Sequence, residues 1–467
     1  MDNKEFRKWS VKAAEWGAEY RRTLKERPVR AQTAPGDIAK QIAASPPEKG
    51  EAMSAIFADF ERTIVPGMTH WQHPNFFAYF PGNAAPVSVV AEYLVSSMAA
   101  QCMLWQTSPA ATELEIMTMD WLRQAFGLCD DFSGVIQDTA SSATLVAVLT
   151  MRERALAWQG NKTGLAAHKP VRVYVSGQAH TSIDRAIWVS GIGEENLVRI
   201  ALVGKNRAMD AVALEKAIEA DKKAGFIPAG IIGCVGSTGV GASDDIEALA
   251  RVSKKHDLYL HVDAAWAGSA MICPEFRHFW KGIDGADSIV VNPHKWLGPQ
   301  VECTAHFIRE PEHTVKTLAI EPEYLKTHGK DNLVNFSEWS VPLGRRFRAL
   351  KLWFVLRAYG LESLRQMIRN HVKWSQELCR QLRDEPGFEI VTDPMLSLFT
   401  FRHVPEGESD IDQHNIDLVN RINDDGRIYL TQTRIDGKIA IRFQVGQFET
   451  RRKNIQQAFE VITELAG

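Results

Sequence analysis

Short β-branched runs alternating with amphipathic helical stretches, and a second group of short strands near the C-terminus, predict an α/β protein with a mostly parallel central sheet and a smaller C-terminal α+β domain. At 467 residues the chain exceeds what one hydrophobic core usually serves. The expected divisions are 1–85, a helical segment, 86–352, the large domain, and 353–467, the small one.

Phe6 to Leu24 carries apolar residues at helical spacing among many charges, followed by the Pro-containing connectors Arg27 to Gly36 and Ala44 to Gly50. A segment so interrupted can hardly build its own core, so it is expected to pack against the main domain or a second subunit, the second subunit being favoured. The apolar stretch Ala84 to Trp105 could cross a bilayer by length, but Glu92 sits within it, and a buried helix is the expected form. Strands are expected at Arg172 to Ser176, Val198 to Val203, Gly230 to Val235, Leu258 to Asp263, Ser288 to Val291 and Thr304 to Ile308. Helices at Ala211 to Ala224 and Asp245 to His256 separate some of them, the pattern of a sheet covered on both faces. Arg345 through Arg383 reads as helical, and Phe388 to Val391, Leu396 to Arg402, Ile428 to Gln432 and Lys438 to Gln444 read as the strands of the small domain.

Apolar residues make up 45% and charged residues 24%, ordinary for a globular protein. Lys plus Arg (54) nearly balances Asp plus Glu (57), so no broad field attracts nucleic acid or anionic lipid. The first residues lack the apolar core of a secretory signal, and the six cysteines form no C-x-x-C pair; a cytoplasmic enzyme with reduced thiols is expected. His70 and His73 form an H-x-x-H pair without a third ligand nearby, so no metal site is expected.

Four segments carry chemistry. In Ser288-Ile-Val-Val-Asn-Pro-His-Lys-Trp-Leu-Gly298 a strand delivers Lys295 just past its end, where a desolvated amine suits Schiff-base formation. In Leu258-Tyr-Leu-His-Val-Asp-Ala-Ala-Trp-Ala-Gly268 a strand ends in Asp263, able to pair with a protonated ring nitrogen, and then small residues such as Ala265 admit a flat ligand. His180, after the strand of Tyr174-Val-Ser-Gly-Gln-Ala-His-Thr-Ser182, can lie against such a ring. Gly134-Val-Ile-Gln-Asp-Thr-Ala-Ser-Ser-Ala-Thr144 reads as a polar turn entering a helix that runs to Ala157, an anion site suited to phosphate. Singly, each has an ordinary explanation: a solvated lysine, a capping aspartate, a structural histidine, a cap by Ser141 or Ser142. Together they converge on one edge of a parallel sheet, where α/β proteins bind ligands.

With these segments, and with Pro66-Gly-Met-Thr-His-Trp-Gln-His-Pro74, Phe76-Phe-Ala-Tyr-Phe-Pro81, Ser108-Pro-Ala-Ala-Thr-Glu-Leu-Glu115, Ile272-Cys-Pro-Glu-Phe-Arg-His278 and Pro342-Leu-Gly-Arg-Arg-Phe347, the chain resembles the group II pyridoxal-phosphate (PLP) decarboxylases, most closely those acting on aromatic L-amino acids. The resemblance implies PLP, the aspartate-aminotransferase-like fold type I, and a homodimer with active sites at the subunit interface. It implies Lys295 as the Schiff-base lysine, Asp263 at the pyridine nitrogen and His180 stacked on the ring. Thr139, Ala140, Ser141, Asn292 and His294 match positions around the phosphate and ring, and Thr238 one near the substrate. Tyr324 matches a loop tyrosine implicated in protonating the product carbanion, as distinct from relatives that release an aldehyde.

The same resemblance puts Trp71, Tyr79, Phe80 and Pro81 near the substrate, with Phe76 and Phe77 as core residues. Gly82 stands where Thr is usual in animal enzymes, Gln101 where Ile is usual and Met103 where Phe is usual, which implies a wider pocket. Gly344 matches a position where glycine accompanies indolic substrates in plant relatives. A decarboxylase of acidic amino acids would need a cation among residues 69–82, which offer aromatics instead, and a noncatalytic binding module would not need both Lys295 and Asp263.

Overall fold

The computed structural model describes residues 1–320 and 333–467. Helix α1 (Asn3–Thr23) is capped by Asp2, whose carboxylate accepts the Glu5 amide at 2.8 Å, and none of its residues is buried. Helices α2 (Met53–Asp59), α3 (Pro86–Met98), α4 (Pro109–Phe126) and α5 (Ala140–Ala155) follow. The strands are β1 (Ser133–Gln137), β2 (Val171–Ser176), β3 (Leu197–Ile200), β4 (Leu202–Val203), β5 (Ala208–Met209), β6 (Ile227–Cys234), β7 (Tyr259–Asp263), β8 (Ser288–Val291), β9 (Thr304–Ile308), β10 (Phe388–Met395), β11 (Leu398–His403), β12 (Thr431–Ile435) and β13 (Lys438–Gln444).

Seven strands form one sheet in the order β1-β9-β8-β7-β6-β2-β3. Strands β3, β2, β6, β7 and β8 are parallel, while β9 runs antiparallel to both β8 and β1. It follows that β1 points the same way as β8, and every strand except β9 ends on one edge. Every residue of β7, β8 and β9 is buried, the polar His261, Ser288, Thr304 and His306 included, as in strands covered on both faces. Val146, Val148, Met151, Val173, Val175, Ile187 and Ile232 are core residues of this layer. A second sheet has the order β10-β11-β13-β12.

The chain divides into two compact units: 1–81 with 374–391 and 400–467, and 82–373 with 392–399. No helix among the described residues is long and apolar enough to cross a membrane.

Two expectations are corrected. The apolar stretch after residue 84 does form a helix, α3, but it is not buried in this chain: Ser88, Ala91 and Val95 turn inward while Val89, Val90, Tyr93, Leu94 and Met98 are exposed. The segment read as a polar turn from Gly134 is a strand, β1, and the helix after it ends at Ala155 rather than Ala157.

Candidate active site

Every segment singled out for chemistry in the larger unit leaves the sheet at the same edge. Register fixes this: Cys234 pairs with Asp263, and Asp263 with Val290, so the ends of β6, β7 and β8 lie side by side. Lys295 sits in a short helical turn (Pro293–Trp296) directly after β8, half-buried between the buried side chains of His294 and Trp296. Its amide donates to the Asn292 carbonyl at 2.9 Å, its carbonyl accepts from the Asn83 carboxamide, and the Asn83 amide donates to the His294 carbonyl at 2.8 Å.

Asp263 is 7% exposed. One carboxylate oxygen accepts the Ala265 amide at 3.0 Å, and among the described residues nothing hydrogen-bonds the other. The Ala265 carbonyl in turn accepts from the Asn292 amide at 2.8 Å, so the β7 and β8 exits are stitched together. Asn292 Oδ1 accepts from Thr304 Oγ1 at 2.8 Å.

His180 follows β2, and its ring feels both Asp263 and Lys295. Desolvation holds its pKa below the ordinary imidazole value; Asp263 pulls it up and Lys295 pushes it down. The Ser182 amide donates to His180 Nδ1 at 3.1 Å, so the neutral ring carries its proton on Nε2. His294 is buried and pushed down to about 3, first by burial and then by Lys295, which keeps it neutral beside that lysine.

At the end of β1, Thr139 caps α5: its hydroxyl accepts the Ser142 amide at 3.4 Å, so the cap is Thr139 rather than Ser141 or Ser142. The amides of Ala140 and Ser141 have no partner among the described residues, which leaves two N–H donors at the positive end of a 16-residue helix. Thr238 is half-buried in the turn after β6. That turn depends on Gly236, with φ +79°, where a Cβ would lie 2.6 Å from Ala267 Cβ and 2.9 Å from the Trp266 ring.

This donor set fits a phosphorylated pyridine. Ala140 and Ser141 offer N–H groups to an anion, Asp263 keeps one buried oxygen for a protonated ring nitrogen, and an imidazole and an amine share the same edge. Residues 35–404 match the pyridoxal-dependent decarboxylase conserved domain. The chain belongs to the pyridoxal-dependent decarboxylases. Its cofactor is pyridoxal 5'-phosphate.

Within this family the chain is 36% identical to tryptophan decarboxylase 2 of Oryza sativa subsp. japonica, covering 100% of this chain and 95% of that one. It is also 36% identical to a phenylacetaldehyde synthase of Arabidopsis thaliana, covering 100% and 97%. The crystal structure of an Oryza sativa TDC with PLP and tryptamine superposes with a TM-score of 0.96 at 33% identity, covering 100% of this chain and 98% of that one.

The residues expected near the substrate fall in two groups. In the smaller unit, Trp71 stacks on Phe76 at 4.6 Å and on Tyr79 at 5.7 Å, and Tyr79 adopts φ 46°. Phe80 and Pro81 are buried, and Phe76 and Phe77 are fully buried core residues, the latter stacked on Phe443. His70 hydrogen-bonds the Tyr20 hydroxyl at 2.8 Å, and His73 Nδ1 accepts the Asn75 amide at 3.0 Å. In the larger unit, a Cβ at Gly82 would lie 3.2 Å from Val301, and one at Gly344 would lie 3.3 Å from Gln101 Nε2. The Met103 carbonyl accepts the Ser337 amide at 3.0 Å. Tyr324 lies outside the described residues.

Three contributors escaped the sequence reading. Ser182, two residues after His180, fixes its tautomer through a backbone amide that any residue there would supply, so the sequence does not mark it. Asn83 braces Lys295 from a distant part of the chain and Thr304 braces Asn292 from the next strand, and nothing local marks either.

Proposed function

We propose that the protein decarboxylates an aromatic L-amino acid to its amine and carbon dioxide. The observation that carries this reading is the convergence of Lys295, Asp263, His180 and the open amides of Ala140 and Ser141 on one sheet edge. Relatives named for tryptophan and tyrosine decarboxylation, 36% and 37% identical over full length, support the aromatic substrate. When bound, pyridoxal phosphate supplies a cationic ring that takes up the electrons released as the carboxylate leaves.

The chain's own residues do the rest. Lys295 would hold the cofactor through its amine, which its half-buried place after β8 leaves at the reacting end. Asp263 uses its unengaged oxygen to keep the ring nitrogen protonated. His180, neutral and protonated on Nε2, lies on the ring and offers one donor toward the reacting end. Ala140 and Ser141, with Thr139, hold the phosphate, and Asn292, His294, Thr238 and Ala265 shape the ring's surroundings. Tyr324 delivers the proton to the product carbon.

The functional form is a homodimer. Five large apolar side chains exposed on α3, together with Ile116, Met117 and Trp121 exposed on α4, suit an isologous contact with a second copy. Helix α1, with no buried residue in its own chain, packs on that copy.

The deciding experiment incubates PLP-loaded protein separately with L-tryptophan, L-DOPA, L-tyrosine, L-phenylalanine and L-glutamate, following carbon dioxide, amine, aldehyde and peroxide. Amine and carbon dioxide from an aromatic substrate are expected. Aldehyde with peroxide would move the protein to the synthases represented by its Arabidopsis relative, a reading that the presence of His180 and Tyr324 disfavours. Turnover of glutamate alone would overturn the aromatic reading.

A further inference from the structure

Two of the sequence motifs, residues 108–115 and 342–347, supply side chains that none of these roles uses. Glu115 on α4 and Arg345 are 2% and 3% exposed. Glu115 Oε1 accepts the Ile136 amide at 2.8 Å and Arg345 Nη2 at 2.6 Å, and the same Nη2 donates to the Ile136 carbonyl at 2.8 Å. Strand β1 is one of the two outermost strands of the seven and, among the described residues, pairs only with β9. Alternate residues of such a strand turn their N–H and C=O away from the partner, and Ile136 is one of them. Glu115 and Arg345 therefore stand in for a missing neighbour strand at this one residue. The guanidinium also lies 4.9 Å from the Phe336 ring centroid.

Ile136 is three residues from Thr139, so whatever fixes it fixes the start of α5. Arg345 reaches a second segment through its backbone: its amide donates to Gln101 Oε1 at 2.6 Å and its carbonyl accepts from the Cys102 amide at 2.9 Å. A buried ion pair adds little net stability over a well-packed neutral pair, so general adhesion is a poor account of its presence.

We propose that the Glu115–Arg345 pair is a positioning device for the phosphate cradle, holding the end of β1 so that the Ala140 and Ser141 amides stay aimed at the cofactor's phosphate. This rests on the reading of residues 139–141 as that cradle. Neither side chain touches the cofactor, so the effect must appear in affinity for the phosphate rather than for the ring.

The test compares apoprotein of the full chain with Glu115→Gln and with the double variant Glu115→Gln/Arg345→Met, titrated with PLP and, separately, with phosphate-free pyridoxal. The double variant leaves no unpaired charge, so it carries the test should Glu115→Gln alone fail to fold. Expected is a loss of PLP affinity of roughly tenfold or more, as is usual when a residue that orients a binding group from behind is changed, with pyridoxal affinity changed by less than about threefold. The increase in melting temperature on adding PLP should shrink to match. An unchanged PLP affinity in the double variant, or equal losses for PLP and pyridoxal, would overturn the proposal. If the unmodified protein bound pyridoxal as tightly as PLP, the cradle reading itself would fall, an outcome distinct from either.

Discussion

Lys295 is held by its backbone, through Asn292 and Asn83, in a turn whose flanking side chains are buried, so its amine can be removed with little disturbance to the sheet. Lys295→Ala is expected to fold, to lose the visible absorbance of the covalently bound cofactor and to lose at least ~100-fold in activity. A fully active variant would remove it from the chemistry. Tyr324→Phe should shift products from amine toward aldehyde, ammonia and peroxide, read by assaying all four together; an unchanged ratio would exclude Tyr324 from the protonation step. Lys295 and Asp263 were legible in the sequence because each follows a largely apolar strand and because, with His180 and the turn at Thr139, they fall in segments that leave one edge of the sheet. Ser182 and Asn83 were not, because what they supply is a hydrogen bond to a group already in place. A hydroxyl or carboxamide serving that purpose looks like any other until the fold brings the partners together.

Elements were legible where one physical demand dominates. The helix Ala211–Ala224, ended by a glycine in the left-handed region and capped by Asp210, was read to the residue, as were β8, β9 and β13. Strand β1 was missed because only Val135 and Ile136 are β-branched, and its edge position needs no longer apolar run. Helix α3 was misjudged as buried because an apolar run does not reveal which of its faces the rest of the chain covers and which it leaves exposed. If that face meets a second copy, Leu94→Glu should shift the protein from dimer toward monomer at micromolar concentration in sedimentation; an unchanged dimer would relocate the interface. In the turn after β6, Gly236→Ala forces a Cβ against Ala267 and Trp266 at a positive φ, and should lower stability by ~1–3 kcal/mol in denaturant titrations. A wild-type midpoint would mean the turn relaxes freely.

The molecule as a whole carries several imidazoles that folding keeps neutral. His261 is fully buried, hydrogen-bonded to Ser288 at 2.8 Å and pushed down to about 4 by burial, and its neighbour His306 is pushed down further still. His73, in the other unit, is also near 4. Each binds its proton more readily unfolded than folded, so the stability it supports is full above about pH 6.5 and declines as pH falls toward 4. For His261 the loss amounts to ~3 kcal/mol across that window. Buried Asp244, raised to about 6, and Asp287, also raised by burial, act in the opposite sense, favouring the fold as pH drops toward 3.8, but they are two groups against several. The melting temperature should therefore rise between about pH 4 and 6.5, and His261→Asn should flatten the rise. A melting temperature independent of pH over that range would contradict the burial of these rings.

Because every strand but β9 releases its chain toward the chemistry on one edge, the connections on the far edge are free of that duty. The stretch from residue 157 to 170, which exposes Lys162, Thr163 and Gly164, feeds β2 from that far side, away from the strand ends that carry Asp263, Lys295 and His180. Lineages can lengthen, recharge or append to it without renegotiating catalysis, and a reporter domain spliced there would ride on a working enzyme. One edge of the sheet is thus committed, and the other is open to novelty.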